Sequence, residues 1–318
     1  MDVREELVQR CAIRRREKIG GLSDEGFAEL VLAVREDPSA FVDSPAEEAF
    51  STFATALTAY EQNLDGDELL DDSEYTSTRK RRLASLSQAC DRAAAIDPGC
   101  TDARLVSVQA HEPGPDDLLA RLLELRAATN QPDVTGDAWD DVFARPSLRL
   151  DAALERTCLD GARFKMTIGY AEGLMAAAPT DVLGARYTAS LAYARLEDEA
   201  GFDALDARFG RRGNTWSNLA RTIMLYKLGR MSAARRALRG FCELSAGGAY
   251  ALLKPEFVDV FLPDRPYAAP SSFDEAVLAV HESEPIIADV PDFIAWAQSQ
   301  PWLETAASQF ADKNDLDW

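Results

Sequence analysis

Residues 180–244 read TDVLGARYTASLAYARLEDEAGFDALDARFGRRGNTWSNLARTIMLYKLGRMSAARRALRGFCEL, and the spacing of their apolar residues predicts two successive helix–turn–helix units. In the second unit, Gly229 lies at the predicted turn, and the apolar residues of each flanking helix share one face. These residues are Trp216, Leu219, Ala220 and Ile223 before the turn, and Ala233, Ala234, Ala237, Leu238 and Phe241 after it. The small side chains of Ala220 and Ala234 let two antiparallel helices cross closely. Because one helix pair cannot bury its own apolar face, we expect neighbouring pairs to stack on it.

A helix pair closed by a proline also occurs earlier in the chain, near Pro98 and again near Pro179. At the first of these places one helix is expected to end at Asp97, because proline cannot continue the hydrogen-bond ladder. Thr101 or Asp102 is then the expected N-cap of the next helix. The recurrence predicts an all-α fold made of antiparallel helix-pair repeats, either an α-solenoid or a short superhelical arc.

The pattern divides the chain into three segments. They are an N-terminal helical segment over residues 1–75, a repeat array over 76–245, and a proline-broken segment with capping helices over 246–318. The N-terminal segment either belongs to the array or forms a separate helical cap. In the last segment, we predict short helices over 273–282 and 291–300 and a final helix that starts at Pro301. Such a segment would cover the open apolar end of the array.

The charge of the chain disfavours two classes of partner. Its 54 acidic and 34 basic residues give a net charge of −20, which repels nucleic-acid phosphates and anionic lipid surfaces. No stretch approaches the roughly 20 apolar residues of a membrane span. We therefore expect neither a nucleic-acid partner nor a membrane partner.

The N-terminus and the cysteines indicate the compartment. The basic cluster in the first 20 residues is not followed by an apolar run, so we expect neither a secretory nor a twin-arginine signal. The five cysteines are scattered and contain no CxxC pair, which argues against a disulfide framework or a zinc site. We expect reduced, mostly buried thiols in a cytoplasmic protein.

Charged clusters elsewhere offer little chemistry. The acidic residues near Asp65 and Asp71 lack the order of an EF-hand loop and are better explained as a solvated connection. The basic run at residues 79–82 spans more than one helical turn, so it cannot form one flat patch. With only His111 and His281 present, and no nucleophile, phosphate-binding or zinc motif, we predict no catalytic residue, no metal and no cofactor.

The repeat unit resembles the tetratricopeptide pattern. The residues that carry this resemblance are Trp216, Leu219, Ala220, Gly229, Ala234 and Leu238. The first helix runs about two residues longer than the 34-residue consensus between its small residue and its turn glycine. Several phrases are also similar to a family of bacterial tetratricopeptide proteins related to the suppressor-of-tumorigenicity-seven type. They are AIDPGCTDARL, FARPSLRLDAALERTCLDG, AAPTDVLGARYTASLAYARLED, TWSNLARTIMLYKLGR and FLPDRPYAAPSSFDEAV.

The phrase PTDVLGARY is similar to a family motif of the form NPxDNxGxRY, which opens a helix. Asp181, Gly184, Arg186 and Tyr187 match that motif, whereas alanine and Val-Leu replace its asparagines. The resemblance implies a helical scaffold that holds another protein, and the family has no established enzymatic activity to carry over.

Five residues are candidates for the binding groove. They are Arg186, Tyr187, Asn218, Arg221 and Leu225. The last three lie on or near the side of their helix that faces away from the small-residue crossing, which is the concave wall in stacked helix pairs. Each candidate has a structural alternative: Arg186 could pair with Asp181 or another carboxylate, Tyr187 could pack in the core, and the other three could simply be solvated.

We therefore predict a non-catalytic helical-repeat scaffold that binds a protein or peptide partner in its concave groove. A homo-oligomer is compatible with such a surface. The alternative is an enzyme or small-molecule sensor of an unrecognised type, with a pocket between the N-terminal helices and the repeats.

Overall fold

The computed structural model describes residues 2–64, 66–130 and 133–318 of the chain, and these residues form helices, turns and loops without a β-strand. The α-helices are α1 (Val3–Ile19), α2 (Asp24–Glu36), α3 (Pro45–Gln62), α4 (Asp72–Ile96), α5 (Thr101–Ala110), α6 (Pro115–Ala128), α7 (Arg145–Asp160), α8 (Phe164–Ala177), α9 (Ala185–Leu196), α10 (Glu199–Arg208), α11 (Thr215–Lys227), α12 (Met231–Leu244), α13 (Gly248–Leu253), α14 (Phe273–Ile287), α15 (Phe293–Gln298) and α16 (Pro301–Lys313). The all-α prediction is confirmed. None of these helices has the length and apolar character needed to cross a membrane.

Side-chain caps start several of these helices where the sequence predicts them. The hydroxyl of Ser44 accepts a hydrogen bond from the backbone N–H of Glu47, and Asn214 and Ser217 form a reciprocal capping box at the start of α11. The predicted cap of α5 is wrong, because Cys100 holds the N-cap position without a side-chain hydrogen bond. The carboxylate of Asp97 instead accepts a hydrogen bond from the N–H of Gly99 in the turn before the helix. The helix therefore begins at Thr101, which was itself one of the two predicted caps.

The acidic connection before α4 and the basic run at residues 79–82, which lies inside α4, both make local contacts. Asp65 lies outside the described residues, but Asp71 caps α4 through the N–H groups of its first turn. The guanidinium of Arg82 pairs with Asp67 at 2.6 Å, and that of Arg79 pairs with Glu112. These arginines therefore serve internal ion pairs.

The chain divides into two compact units. Unit 1 comprises Met1–Leu154 together with Val260–Arg265, and unit 2 comprises Glu155–Asp259 and Pro266–Trp318. The predicted segments 1–75, 76–245 and 246–318 divide the chain by its repeat pattern, whereas the two units divide it by which residues pack together. That segmentation stays a prediction.

Unit 1 is built on a sequence of packed helices in which α1 contacts α2 and α3, α3 contacts α4, and α4 contacts α5. Its core contains Phe50 and Phe53 from α3 and Leu86 from α4, all at most 2% exposed. Val260 and Leu262 pack against the same core. A short segment from late in the sequence therefore completes the apolar interior of unit 1.

Unit 2 places α9 between α8 and α11, and α11 also contacts α12 and α14. The predicted face of α11 is buried as expected. Ala220 of α11 and Ala234 of α12, two helices that contact each other, are both fully buried. Gly229 has a φ of 71° in the turn between these two helices, which is a left-handed conformation that suits glycine. The prediction of a close α11–α12 pair is thus confirmed.

The C-terminal part of unit 2 packs around aromatic rings. The ring of Tyr250 lies 5.9 Å from that of Phe273 and 6.0 Å from that of Phe310. Helices α14, α15 and α16 lie where short helices were predicted, but α14 extends to Ile287 and so runs past the predicted end at residue 282. The continuing apolar pattern explains the extension, because Ile286 is fully buried.

Candidate functional site

A cavity of about 480 Å³ opens in unit 2 beside α9, α10 and the loop that leads into α11. Its volume lies within the range of ordinary ligand sites. Its apolar lining comes from Phe202, Leu205 and Phe209, and its polar lining includes Arg186 and Arg212. The cavity therefore combines an apolar floor with guanidinium groups.

The loop that forms one wall of this cavity has the sequence FGRRG at residues 209–213. Arg211 has a φ of 54° and Gly213 a φ of 64°, so the chain makes a tight reversal before α11. A Cβ atom at Gly213 would lie 3.2 Å from the amide nitrogen of Asn218. Consequently the loop is held close to the first turn of α11, and Arg211 and Arg212 are exposed.

The arginines around the cavity differ in how their charges are compensated. Arg221 on α11 pairs with Asp203 at 3.0 Å and with Asp206 at 3.2 Å, both on α10. Arg211 and Arg212 have no carboxylate partner among the described residues. The loop therefore contributes positive charge that is not compensated locally, although the chain as a whole carries −20.

Arg186 lines the cavity and also makes the predicted ion pair. Its guanidinium lies 3.4 Å from the carboxylate of Asp181 and 4.7 Å from the ring centroid of Phe209. Its side chain is 31% exposed. It also donates a hydrogen bond to the hydroxyl of Tyr187, whose ring stacks on Trp216. Tyr187 thus packs within the helices, and it lies outside the set of residues that line the cavity.

The other three candidate residues also lie outside the cavity lining. Asn218 donates a hydrogen bond from its side chain to the backbone carbonyl of Asn214, and Arg221 joins α11 to α10 as described above. Leu225 is only 9% exposed, so it stabilises packing more than it offers a surface. A binding role for the five predicted residues stays a prediction.

Sequence reasoning missed the cavity residues Phe202, Phe209 and Arg212. The signal that could have drawn attention to the last two is the run FGRRG, in which two glycines flank two arginines between helices. Such a run indicates an exposed basic turn. The convergence of Phe202 with this turn depends on tertiary packing.

A second cavity, of about 420 Å³, lies within unit 1. Its walls come from α1, α3, the turn before α5, the end of α6 and the start of α7. Arg10, Arg14 and Arg104 line it together with Phe50 and Phe143. Unlike the cavity of unit 2, it borders a group of deeply buried charges.

The buried charges centre on Arg149, whose side chain is 2% exposed. Its guanidinium pairs with Glu6 at 2.5 Å, with Asp102 at 3.0 Å and with Asp264 at 3.0 Å. Arg10 adds a second guanidinium, 2.7 Å from Glu6 and 3.3 Å from Asp102. We call these five residues the Arg149 cluster.

Burial and ion pairing act in opposite directions on the acids of this cluster. Burial raises the pKa of Asp102 by more than the neighbouring guanidiniums of Arg149 and Arg10 lower it. For Glu6, burial again acts upward, but Arg149 and Arg10 outweigh it and lower the pKa. Because Arg10 and Asp102 belong to both the cluster and the cavity wall, the cluster holds part of that wall in place.

The described residues contain no group of histidine, cysteine, aspartate and glutamate side chains arranged to hold a metal ion. Comparison with known proteins found no matching protein family, no similar characterised protein and no similar solved structure.

Proposed function

We propose that this chain is a tetratricopeptide-like helical-repeat scaffold that binds an acidic segment of a partner protein in the cavity of unit 2. The consecutive packing of α8, α9, α11 and α12, with small residues at the α11–α12 contact and Gly229 in the turn, supports the repeat assignment.

The observation that carries the proposal is the position of Arg212. Its exposed, uncompensated guanidinium lines a cavity whose floor is formed by Phe202 and Leu205. A guanidinium recognises a carboxylate through paired N–H donors, and an apolar floor accepts a large side chain. A peptide with an acidic residue beside a large apolar one would satisfy both features.

The net charge of the chain does not oppose this local recognition. Charges separated by more than about 8 Å are largely screened at physiological ionic strength, and Asp206, the acid that lines the cavity, is already paired with Arg221. A nucleic acid would need a long basic surface, which the excess of 20 negative charges disfavours. We therefore propose a protein partner.

A displayed library of random peptides, selected on the full chain, tests the proposal. Enriched peptides should share an acidic residue next to a large apolar residue. Arg212→Glu should lower the affinity of the chain for these peptides by about tenfold or more. Arg236→Glu is the matched control, because Arg236 is an exposed arginine of α12 outside the cavity lining. Arg221 is less suitable, since its substitution would disturb ion pairs with α10.

Selection of no common motif would contradict the proposal. So would equal weakening by Arg212→Glu and Arg236→Glu, since that result would indicate attraction to the overall charge of the surface.

A further inference from the structure

We propose that the cavity of unit 1 binds a small organic anion that carries a carboxylate or phosphate on a planar apolar group. This site is separate from the cavity of unit 2 and does not depend on the proposed scaffold function. It is lined by α1 and α3, the turn before α5, the end of α6 and the start of α7.

Two guanidiniums of the cavity wall are available to an anion. Arg14 has an exposed partner, Glu17, at 3.5 Å, and such exposed pairs are weak. Arg104 has no carboxylate partner among the described residues, and its guanidinium donates a long 3.4 Å hydrogen bond to the carbonyl of Pro98. Both side chains can therefore turn their donors to a ligand without breaking a strong internal pair.

The acids that also line the cavity already accept internal hydrogen bonds. Both oxygens of Asp102 accept from guanidiniums of the Arg149 cluster. An oxygen of Glu47 accepts from the backbone N–H of Asp43 at 2.9 Å, and one of Asp97 accepts from Gly99 at 2.8 Å. Hydrogen-bond donors are thus left over at the wall, which favours a ligand rich in acceptors.

The N-terminus of α5 is a further source of positive potential at the wall. This ten-residue helix begins at Thr101, and its N-cap residue Cys100 makes no side-chain capping hydrogen bond. Helix N-termini stabilise negative charge nearby. Thr101 and Cys100 both line the cavity, so the helix end faces the space occupied by the proposed anion.

Aromatic rings explain the planar apolar part of the ligand. The guanidinium of Arg10 lies 3.7 Å from the ring centroid of Phe50, and that of Arg14 lies 4.5 Å from the centroid of Phe143. The ring of Phe143 holds the guanidinium plane of Arg14 and leaves its N–H edges for an acceptor, whereas those of Arg10 already donate to Glu6 and Asp102. A volume of about 420 Å³ accommodates a small molecule.

Isothermal titration calorimetry with the full chain tests the proposal, with phenyl phosphate, benzoate and neutral benzamide as probes. Phenyl phosphate, benzoate or both should bind with one site per chain, and benzamide should bind at least about tenfold more weakly. Binding of only one anion would identify the headgroup, phosphate or carboxylate, for which the site is built.

The variants Arg14→Gln and Arg104→Gln should each lower the affinity for the anion by about tenfold or more. Neither residue belongs to the Arg149 cluster, so both variants should fold. Arg121→Gln is the control, because Arg121 is an exposed arginine of α6 outside the cavity lining, and it should leave affinity unchanged.

The proposal would be overturned if neither anion bound, if benzamide bound as well as the anions, or if both glutamine variants kept full affinity. These outcomes would leave the peptide-selection result for unit 2 untouched, because no variant is shared between the two experiments.

Discussion

The phenol ring of Tyr187 stacks on the indole of Trp216, with ring centroids 4.3 Å apart and planes inclined by 7°. The indole N–H of Trp216 donates a hydrogen bond to Glu282 of α14, and the hydroxyl of Tyr187 accepts one from Arg186. The stack therefore connects a cavity arginine on α9 to α11 and α14. The position of Arg186 therefore depends on Tyr187 and Trp216, which lie outside the cavity lining.

Loss of this stack should destabilise unit 2. Tyr187→Leu should lower the free energy of unfolding by about 1 to 3 kcal/mol, since an aromatic pair contributes beyond its buried area. Tyr187→Phe keeps the ring and loses the hydrogen bond from Arg186, so it should cost less than the loss of the ring, about 1 kcal/mol. Urea denaturation followed by circular dichroism measures both values, and equal losses would contradict a role for stacking.

Removal of Arg149 should be much more damaging than removal of a surface arginine. Arg149→Met leaves the buried carboxylates of Glu6 and Asp102, and the partly buried one of Asp264, without their central guanidinium, which should cost about 3 to 5 kcal/mol. Arg149→Lys should rescue little, because one ammonium cannot reproduce the fork of donors that meets Glu6, Asp102 and Asp264. Arg92→Met is the control, because Arg92 is exposed. If Arg92→Met lowered the free energy of unfolding as much as Arg149→Met, the stabilising role of the Arg149 cluster would be refuted.

Two glycines with a similar positive φ should respond differently to substitution by alanine. Gly229 has a φ of 71° with no atom within 4 Å of a built Cβ, whereas a Cβ at Gly247, with a φ of 67°, would lie 2.5 Å from the ring of Phe310. Gly229→Ala should cost about 1 kcal/mol from backbone strain. Gly247→Ala should lower the free energy of unfolding by about 2 kcal/mol more, because its Cβ would clash with the ring of Phe310. Equal denaturation midpoints for the two variants would contradict this prediction and show that the ring moves to accommodate the methyl group.

The thiols should make unfolding easier at alkaline pH. Burial raises the pKa of Cys11 and Cys158 to about 11 and that of Cys90 to about 12. The unfolded chain releases these protons above about pH 8.5 while the native chain keeps them, so the free energy of unfolding should fall as pH rises beyond that value.

Urea denaturation at pH 8 and pH 10 measures this decline, and a variant with Cys90→Ala and Cys158→Ala should show a shallower one. All five cysteines are free, so a thiol reagent at pH 8 should modify the native chain slowly and the unfolded chain at five sites. Fast modification of the native chain would contradict the raised pKa values.

Local patterns in the sequence were enough to predict the all-α fold and the buried face of α11. The face of α11, the turn at Gly229 and the final helix from Pro301 follow from spacing within a few residues. The N-cap at Cys100 was missed because the side chain of Asp97 forms the turn that a cap on α5 would otherwise organise.

The candidate sites were only partly predictable because their members are distant in sequence. Arg186 was found through a helix-opening phrase, whereas Phe202 and Arg212 reach the same cavity only after α9, α10 and the loop pack together. Arg149 lies 143 residues from Glu6 and 115 from Asp264. Periodicity assigns an arginine to a solvated face, and only tertiary structure identifies one that is enclosed by carboxylates.

The inclusion of Val260–Arg265 in unit 1 constrains the order of events during synthesis. Nascent chains fold as their segments leave the ribosome, yet Asp264 emerges 115 residues after Arg149. Until then the guanidinium lacks one of its three carboxylates, and the apolar positions taken by Val260 and Leu262 are unfilled. The first unit to be translated thus becomes complete only when most of the second has already been made.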